Sequence, residues 1–243
     1  MIHIFTDFGY AGPYVGELKT VLMRNDPGNP PVDLMHDAPS YNPRASAYLL
    51  EALARRFKTG DGCLAIIDPG VGDASRRPVL VEADGIVYCA PDNGLLSQVI
   101  RHAGQTSCYE ILWRPEQLSN SFHGRDLFAP ALQKFLAGER EDIRELACNE
   151  LIGQDWPDRL DEIIYIDGFG NAVTGISGTQ LDEQQHLQIG TQRLVFAPTF
   201  AAVATGQAFW YVNSMGLVEI AANQSSAARQ LGLEIGSPIT CLV

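Results

Sequence analysis

The chain has 243 residues, 46% hydrophobic and 19% charged, an ordinary globular balance that excludes an intrinsically disordered protein. Its formal net charge of −12, with no Lys/Arg run or basic stripe, argues against a nucleic-acid binder, which needs a basic surface to neutralise phosphates. No apolar stretch is long enough to span a bilayer, and MIHIFTDFGY lacks a basic region followed by a long apolar run, so the expected setting is cytoplasmic, away from membranes.

In chain order, residues 2–5 read as a strand. Residues 13–24 read as a helix with Pro13 in its first turn and Val15, Leu18 and Leu22 on one face. Asn42-Pro43 is an N-cap and N1 pair that opens a second helix to about Phe57. Residues 64–67 form another apolar strand, and 78–90 contain two β-rich runs around Asp84-Gly85, a hairpin signal. Residues 95–102 and 127–136 are again helical. Strands alternating with helices predict an α/β domain with a mainly parallel sheet flanked by helices.

The pattern changes near residue 150. The polar GQDWPDR stretch at 153–159 reads as a linker between an α/β domain (1–152) and a second domain (160–243). The second contains short β-like runs at 163–166, 187–189, 194–197, 208–212, 217–221 and 239–243. These predict a smaller all-β, barrel-like domain. The five cysteines (Cys63, Cys89, Cys108, Cys148, Cys241) include no CxxC pair and are odd in number. They read as free thiols in a reducing compartment rather than as disulfides or a metal knuckle.

Four apolar runs end in an aspartate close to Gly or Asn: IHIFTDFG (Asp7), LAIIDPGVG (Asp68), VYCAPDNG (Asp92) and IIYIDGFGN (Asp167). Asp-Gly is ordinary turn chemistry. Four such endings in an α/β chain also suit a ligand site, because open α/β sheets bind ligands beyond the carboxyl ends of their strands. Clustered carboxylates suit a divalent metal, a cationic substrate or a ribose diol. The five histidines are scattered and no HxH or HxxxH occurs, which argues against zinc. Neither GxxxxGK[ST] nor a strand-linked GxGxxG occurs. The segment SFHGRDLFAP places His123, Arg125 and Asp126 together before a helix. His123 reads as functional, and Arg125 and Asp126 equally as an ion pair and helix cap.

Taken together, TDFG, PYVGELK, HDAP, IDPGVG, PDNGLL, FHGRDLFAPA, IDGFGNAVT and NSMGLVEIA resemble, in order, the S-adenosylmethionine hydroxide adenosyltransferases, relatives of fluorinase and chlorinase. The resemblance runs from residue 4 to 221. It implies an α/β N-terminal domain, a β-barrel C-terminal domain, and a homotrimer whose sites lie between subunits. It implies S-adenosylmethionine as substrate, adenosine and methionine as products, and neither metal nor cofactor.

Carried over by motif, the resemblance assigns Asp7 to the ribose hydroxyls. It places Phe8, Tyr41 and Phe122 at the walls of the site, with Phe122 beside the reacting carbon. Asp167 meets the methionine ammonium and Ser214 the amino-acid end. Phe169 and Asn171 lie on the adenine side, with Asn213, Ala222 and Gln224 near the same pocket. The water-using branch carries an Asp-Arg-His set where halide users have Tyr; here it falls on Asp68, Arg76 and His123. DPGVGDASRR is one residue longer than the usual pattern, so Arg77 is the alternative to Arg76. Gly12 and Gly175 stand where the family often has Asp and Asn. A metal-dependent nucleoside hydrolase, with its Asp-rich loop, and a non-catalytic binder of S-adenosylmethionine or adenosine are the competing readings.

Overall fold

The computed structural model describes residues 1–73 and 75–242. Its first unit, Met1–Trp156, begins β1 (Ile2–Thr6), α1 (Tyr14–Asn25), β2 (Val32–Met35), α2 (Pro43–Ala54), β3 (Gly62–Ile66), β4 (Pro78–Ala83) and β5 (Ile86–Pro91). It continues with α3 (Ser97–His102), β6 (Thr106–Ile111), a π-helical turn (Gly124–Phe128), α4 (Ala129–Leu136) and β7 (Ile143–Leu146). Local chemistry starts these elements where expected. The Asn42 side chain accepts from the Ala45 amide at 3.0 Å with Pro43 next to it, capping α2. Leu18 and Leu22, one turn apart on α1, are both buried. The helix α2 stops at Ala54, short of Phe57, where the chain enters a tight turn with Phe57 donating to the Ala54 carbonyl.

The seven strands form one sheet in the order β2-β1-β3-β5-β4-β6-β7. The pairings β1/β2, β1/β3 and β3/β5 are parallel; β4/β5, β4/β6 and β6/β7 are antiparallel. The sheet is therefore mixed, not mainly parallel. The cause is the hairpin at Asp84-Gly85, where both residues take positive φ (50° and 79°). A two-residue connection returns its strand antiparallel, and β6 and β7 then extend that edge. Every residue of β3 is buried, as suits a strand inside the sheet. The core joins Ile4, Leu64 and Leu80 of the sheet to Leu22, Leu132 and Phe135 of the covering helices.

Contrary to the reading of all five cysteines as free thiols, Cys108 and Cys148 form a disulfide, with Cα atoms 5.4 Å apart. Cys108 faces Leu146 across the β6/β7 ladder, which brings Cys148 within reach just beyond the strand end. Cys63, Cys89 and Cys241 are free.

The second unit, Pro157–Val243, contains β8 (Leu160–Ile166), β9 (Ala172–Ser177), β10 (His186–Ile189), β11 (Gln192–Leu194), β12 (Ala208–Val212), β13 (Leu217–Ala222), α5 (Ala227–Leu231) and β14 (Thr240–Leu242). Its strands form two antiparallel sheets, β12-β13-β9-β8 and β11-β10-β14. The expected barrel is not seen as a continuous ladder. Between the sheets there are single-residue bridges at Phe196–Trp210 and Glu162–Pro238, and Pro238 has no N–H with which to extend its bridge. Ile163, Leu187, Trp210, Val218 and Ile220 form this unit's core.

Candidate active site

Parallel pairing of β1 with β3 aligns Thr6 with Ile66, so Asp7 and Asp68 emerge beyond the carboxyl ends of adjacent strands. Burial pushes the Asp7 carboxyl above its ordinary range, bonding to the Tyr41 amide opposes this, and the Asp68 charge adds to the rise. Asp7 Oδ2 accepts the Tyr41 amide at 3.0 Å. Tyr41 holds a left-handed backbone, φ 57°, and is 78% exposed. Phe8 packs edge-on against Phe122 at 5.7 Å and Tyr14 at 6.1 Å, and Tyr14 meets Phe122 at 5.5 Å.

The side chain of Asp68 is almost buried. Its Oδ1 accepts from the Gly70 amide at 3.3 Å and from Arg76 Nη1. Among the described residues, none donates to Oδ2. Asp73 Oδ1 accepts from the Ser75 amide and hydroxyl at 2.9 and 2.8 Å, and the Arg76 amide donates to the Asp73 carbonyl at 3.1 Å. This turn brings Arg76 back over Gly70, where a Cβ would collide with the guanidinium. Asp68, Arg76 and His123 line one cavity of about 290 Å³, together with Asn120 and Arg114.

Arg77 points elsewhere. Its Nε and Nη2 reach Asp92 Oδ2 at 3.0 and 2.6 Å, and Nη2 also donates to the Glu150 carbonyl at 2.9 Å. The other Asp92 oxygen accepts the Ile152 amide at 2.9 Å. Asp92, one of the four strand-end acids, is thus held within a structural network. Arg125 likewise pairs with Asp126 through Nε at 2.6 Å and Nη2 at 2.9 Å, and with Glu17 of α1 at 2.5 Å. These contacts anchor the π-helical turn that follows His123.

In the second unit, a cavity of about 1090 Å³ is lined by Asp167, Phe169, Asn171, Asn213, Ser214, Ala222 and Gln224. Asp167 closes its own loop: Oδ1 accepts the amides of Phe169 and Asn171, and Oδ2 the Asn171 side chain, each at 2.9 Å. A carboxylate offers about four acceptor directions, so roughly one remains for a ligand. The Phe169 ring is 82% exposed. Gly170 has φ +85°, and a Cβ there would meet Ser226, the N-cap of α5.

The motif reading leaves out Glu219 and Tyr211, which also line this cavity. Glu219 is 5% exposed within the strand LVEIAA, all of whose residues are buried. A carboxylate in such an apolar run was the available signal. Among the described residues, no group of three or more His, Cys, Asp or Glu is placed to hold a metal.

The model of the SAM hydroxide adenosyltransferase N-terminal domain matches residues 2–146, and that of the C-terminal domain residues 161–240. A Thermus thermophilus protein named (R)-S-adenosyl-L-methionine hydrolase is 33% identical, covering 99% of each chain. A Salinispora tropica protein of the same name is 32% identical over 97% of this chain and 95% of its own. The crystal structure of an uncharacterized conserved protein from Thermotoga maritima superposes with a TM-score of 0.88 at 28% identity, covering all of both chains. With both domain models matched over most of its length, the chain belongs to the SAM hydroxide adenosyltransferase family.

Proposed function

We propose that this protein is an enzyme that hydrolyses S-adenosyl-L-methionine to adenosine and L-methionine. Full-length relatives that carry this activity in their name support the reaction. The relatives' name specifies the (R) form of the substrate, and we extend that to this chain. The observation that carries the residue assignment is the one-sided bonding of Asp68: Arg76 and Gly70 occupy Oδ1, leaving Oδ2 able to accept a proton.

The sulfonium is already a good leaving group, so no metal or cofactor is assigned. The reaction needs water aligned with the C5′–S bond and shielded from bulk solvent. Such alignment is worth on the order of 7 kcal/mol or more. Asp68 Oδ2 accepts the proton as the water oxygen bonds C5′; the C5′–S bond breaks and its electron pair stays on the methionine sulfur. Arg76 fixes the carboxylate, and Arg76 with His123 stabilises charge developing on the water oxygen. Positive charge on sulfur disappears during this step, so carboxylates are best placed at the substrate ends. Accordingly, Asp7 holds the ribose hydroxyls, and Asp167 with Ser214 holds the amino-acid end. Phe8, Tyr41 and Phe122 wall the nucleoside and the reacting carbon. Phe169 and Asn171 flank the adenine, with Asn213, Ala222 and Gln224 beside them. The proposed assembly is a homotrimer, and the proposed setting is cytoplasmic.

Incubation in ¹⁸O-water without halide or metal tests the reaction. Label enters the adenosine 5′-hydroxyl, seen by mass spectrometry. Free adenine, or label at ribose C1′, overturns the reading.

A further inference from the structure

Glu219 sits in the middle of β13, flanked by Leu217, Val218, Ile220 and Ala221, all buried. It is nevertheless one of the residues that line the large cavity of the second unit. Each oxygen takes one bond from a neutral donor: the Tyr211 hydroxyl to Oε1 at 2.6 Å and the Asn213 amide to Oε2 at 2.7 Å. Among the described residues, no lysine, arginine or histidine forms an ion pair with it. Arg229, the arginine on this cavity wall, is exposed on α5.

A buried carboxylate held only by neutral donors is costly, and a second carboxylate nearby raises the cost. Burial pushes the Glu219 carboxyl above its ordinary range; the Tyr211 and Asn213 bonds oppose this, and the Asp167 charge adds to it. An apolar residue would serve the strand better. A ligand bearing positive charge relieves the repulsion between the two carboxylates, whereas a neutral one leaves it in place. Glu219 also sets the local geometry. By drawing Asn213 Nδ2 toward itself, it turns Asn213 Oδ1 to accept the Met215 and Leu217 amides at 2.9 and 3.1 Å. Those bonds close the turn that carries Ser214.

We propose that Glu219 is a specificity-determining residue: its buried carboxylate, held by Tyr211 and Asn213 on the same cavity as Asp167, makes that cavity favour a nucleoside whose appended chain is cationic over a neutral one. The inference rests on the S-adenosylmethionine reading and extends it to a residue outside the catalytic set.

Titration calorimetry with two isosteric probes tests it. One is 5′-deoxyadenosine joined at C5′ through sulfur to a 3-aminopropyl chain that ends in an ammonium, and the other carries a neutral butyl chain of the same length. The wild-type protein binds the aminopropyl probe more tightly. Glu219→Gln, which keeps size and hydrogen bonding, reduces the ratio of the two affinities by about tenfold, the effect of one charge interaction. Glu219→Asp, which keeps the charge, keeps most of the ratio. If Glu219→Gln fails to fold, by circular dichroism, Glu219→Ser carries the same comparison. A folded neutral variant with the wild-type ratio overturns the proposal. Wild-type protein that binds neither probe and forms no adenosine overturns the underlying reading instead.

Discussion

Among the described residues, Asp68 accepts hydrogen bonds on one oxygen alone, and the proposed role as base rests on that asymmetry. Asp68→Asn retains the shape but cannot accept the proton. It lowers kcat by about 10²- to 10⁴-fold while substrate affinity changes little, measured by adenosine release and equilibrium binding. Arg76 and Arg77 are sequence neighbours with different partners, and substitution separates them. Arg77→Met leaves the nearly buried Asp92 carboxylate without its guanidinium and costs about 3 kcal/mol in urea unfolding. Arg76→Met instead lowers kcat, because its partner Asp68 lines the cavity of the proposed reaction site. The opposite pattern would reassign the two. The adjacency of the arginines in DPGVGDASRR left this choice open. The Asp73–Ser75 turn settles which side chain meets Asp68.

At the scale of elements, the strand-end acids are distributed by pairing. Asp7 and Asp68 come together because β1 and β3 are parallel neighbours. Asp92 follows β5, the next strand in the sheet, but the 150–152 segment covers it and Arg77 neutralises it. That segment lies just beyond Cys148, so the disulfide to β6 helps to hold it. Alkylation of the unfolded, unreduced protein labels the three free cysteines, and reduction exposes the other two, counted by mass spectrometry. Five labels without reductant would rule the bond out. Cys148→Ser lowers stability by up to about 4 kcal/mol on the loop-closure estimate for a separation of 40 residues, checked by urea unfolding.

For the whole molecule, the proposed homotrimer predicts sedimentation at three times the 26.5 kDa chain mass. A species at the chain mass alone would overturn it. The features legible in the sequence alone are local ones. Asn42-Pro43 starts α2 and Asp84-Gly85 turns a hairpin because caps and turns depend on a few adjacent residues. The ordered motifs identified the family because each is a contiguous string. Edge strands were less legible: β2 (VDLM) buries only Met35, and β7 (IREL) buries no residue fully, so neither carries the apolar pattern of an inner strand. The mixed sheet, the Cys108–Cys148 bond, the Asp68–Arg76 pairing and the burial of Glu219 against Tyr211 and Asn213 emerge only in the folded chain. Strand order, the disulfide and the side-chain pairings all depend on which segments meet in space. Local propensity names the segments, but burial and hydrogen bonding between distant ones select their partners.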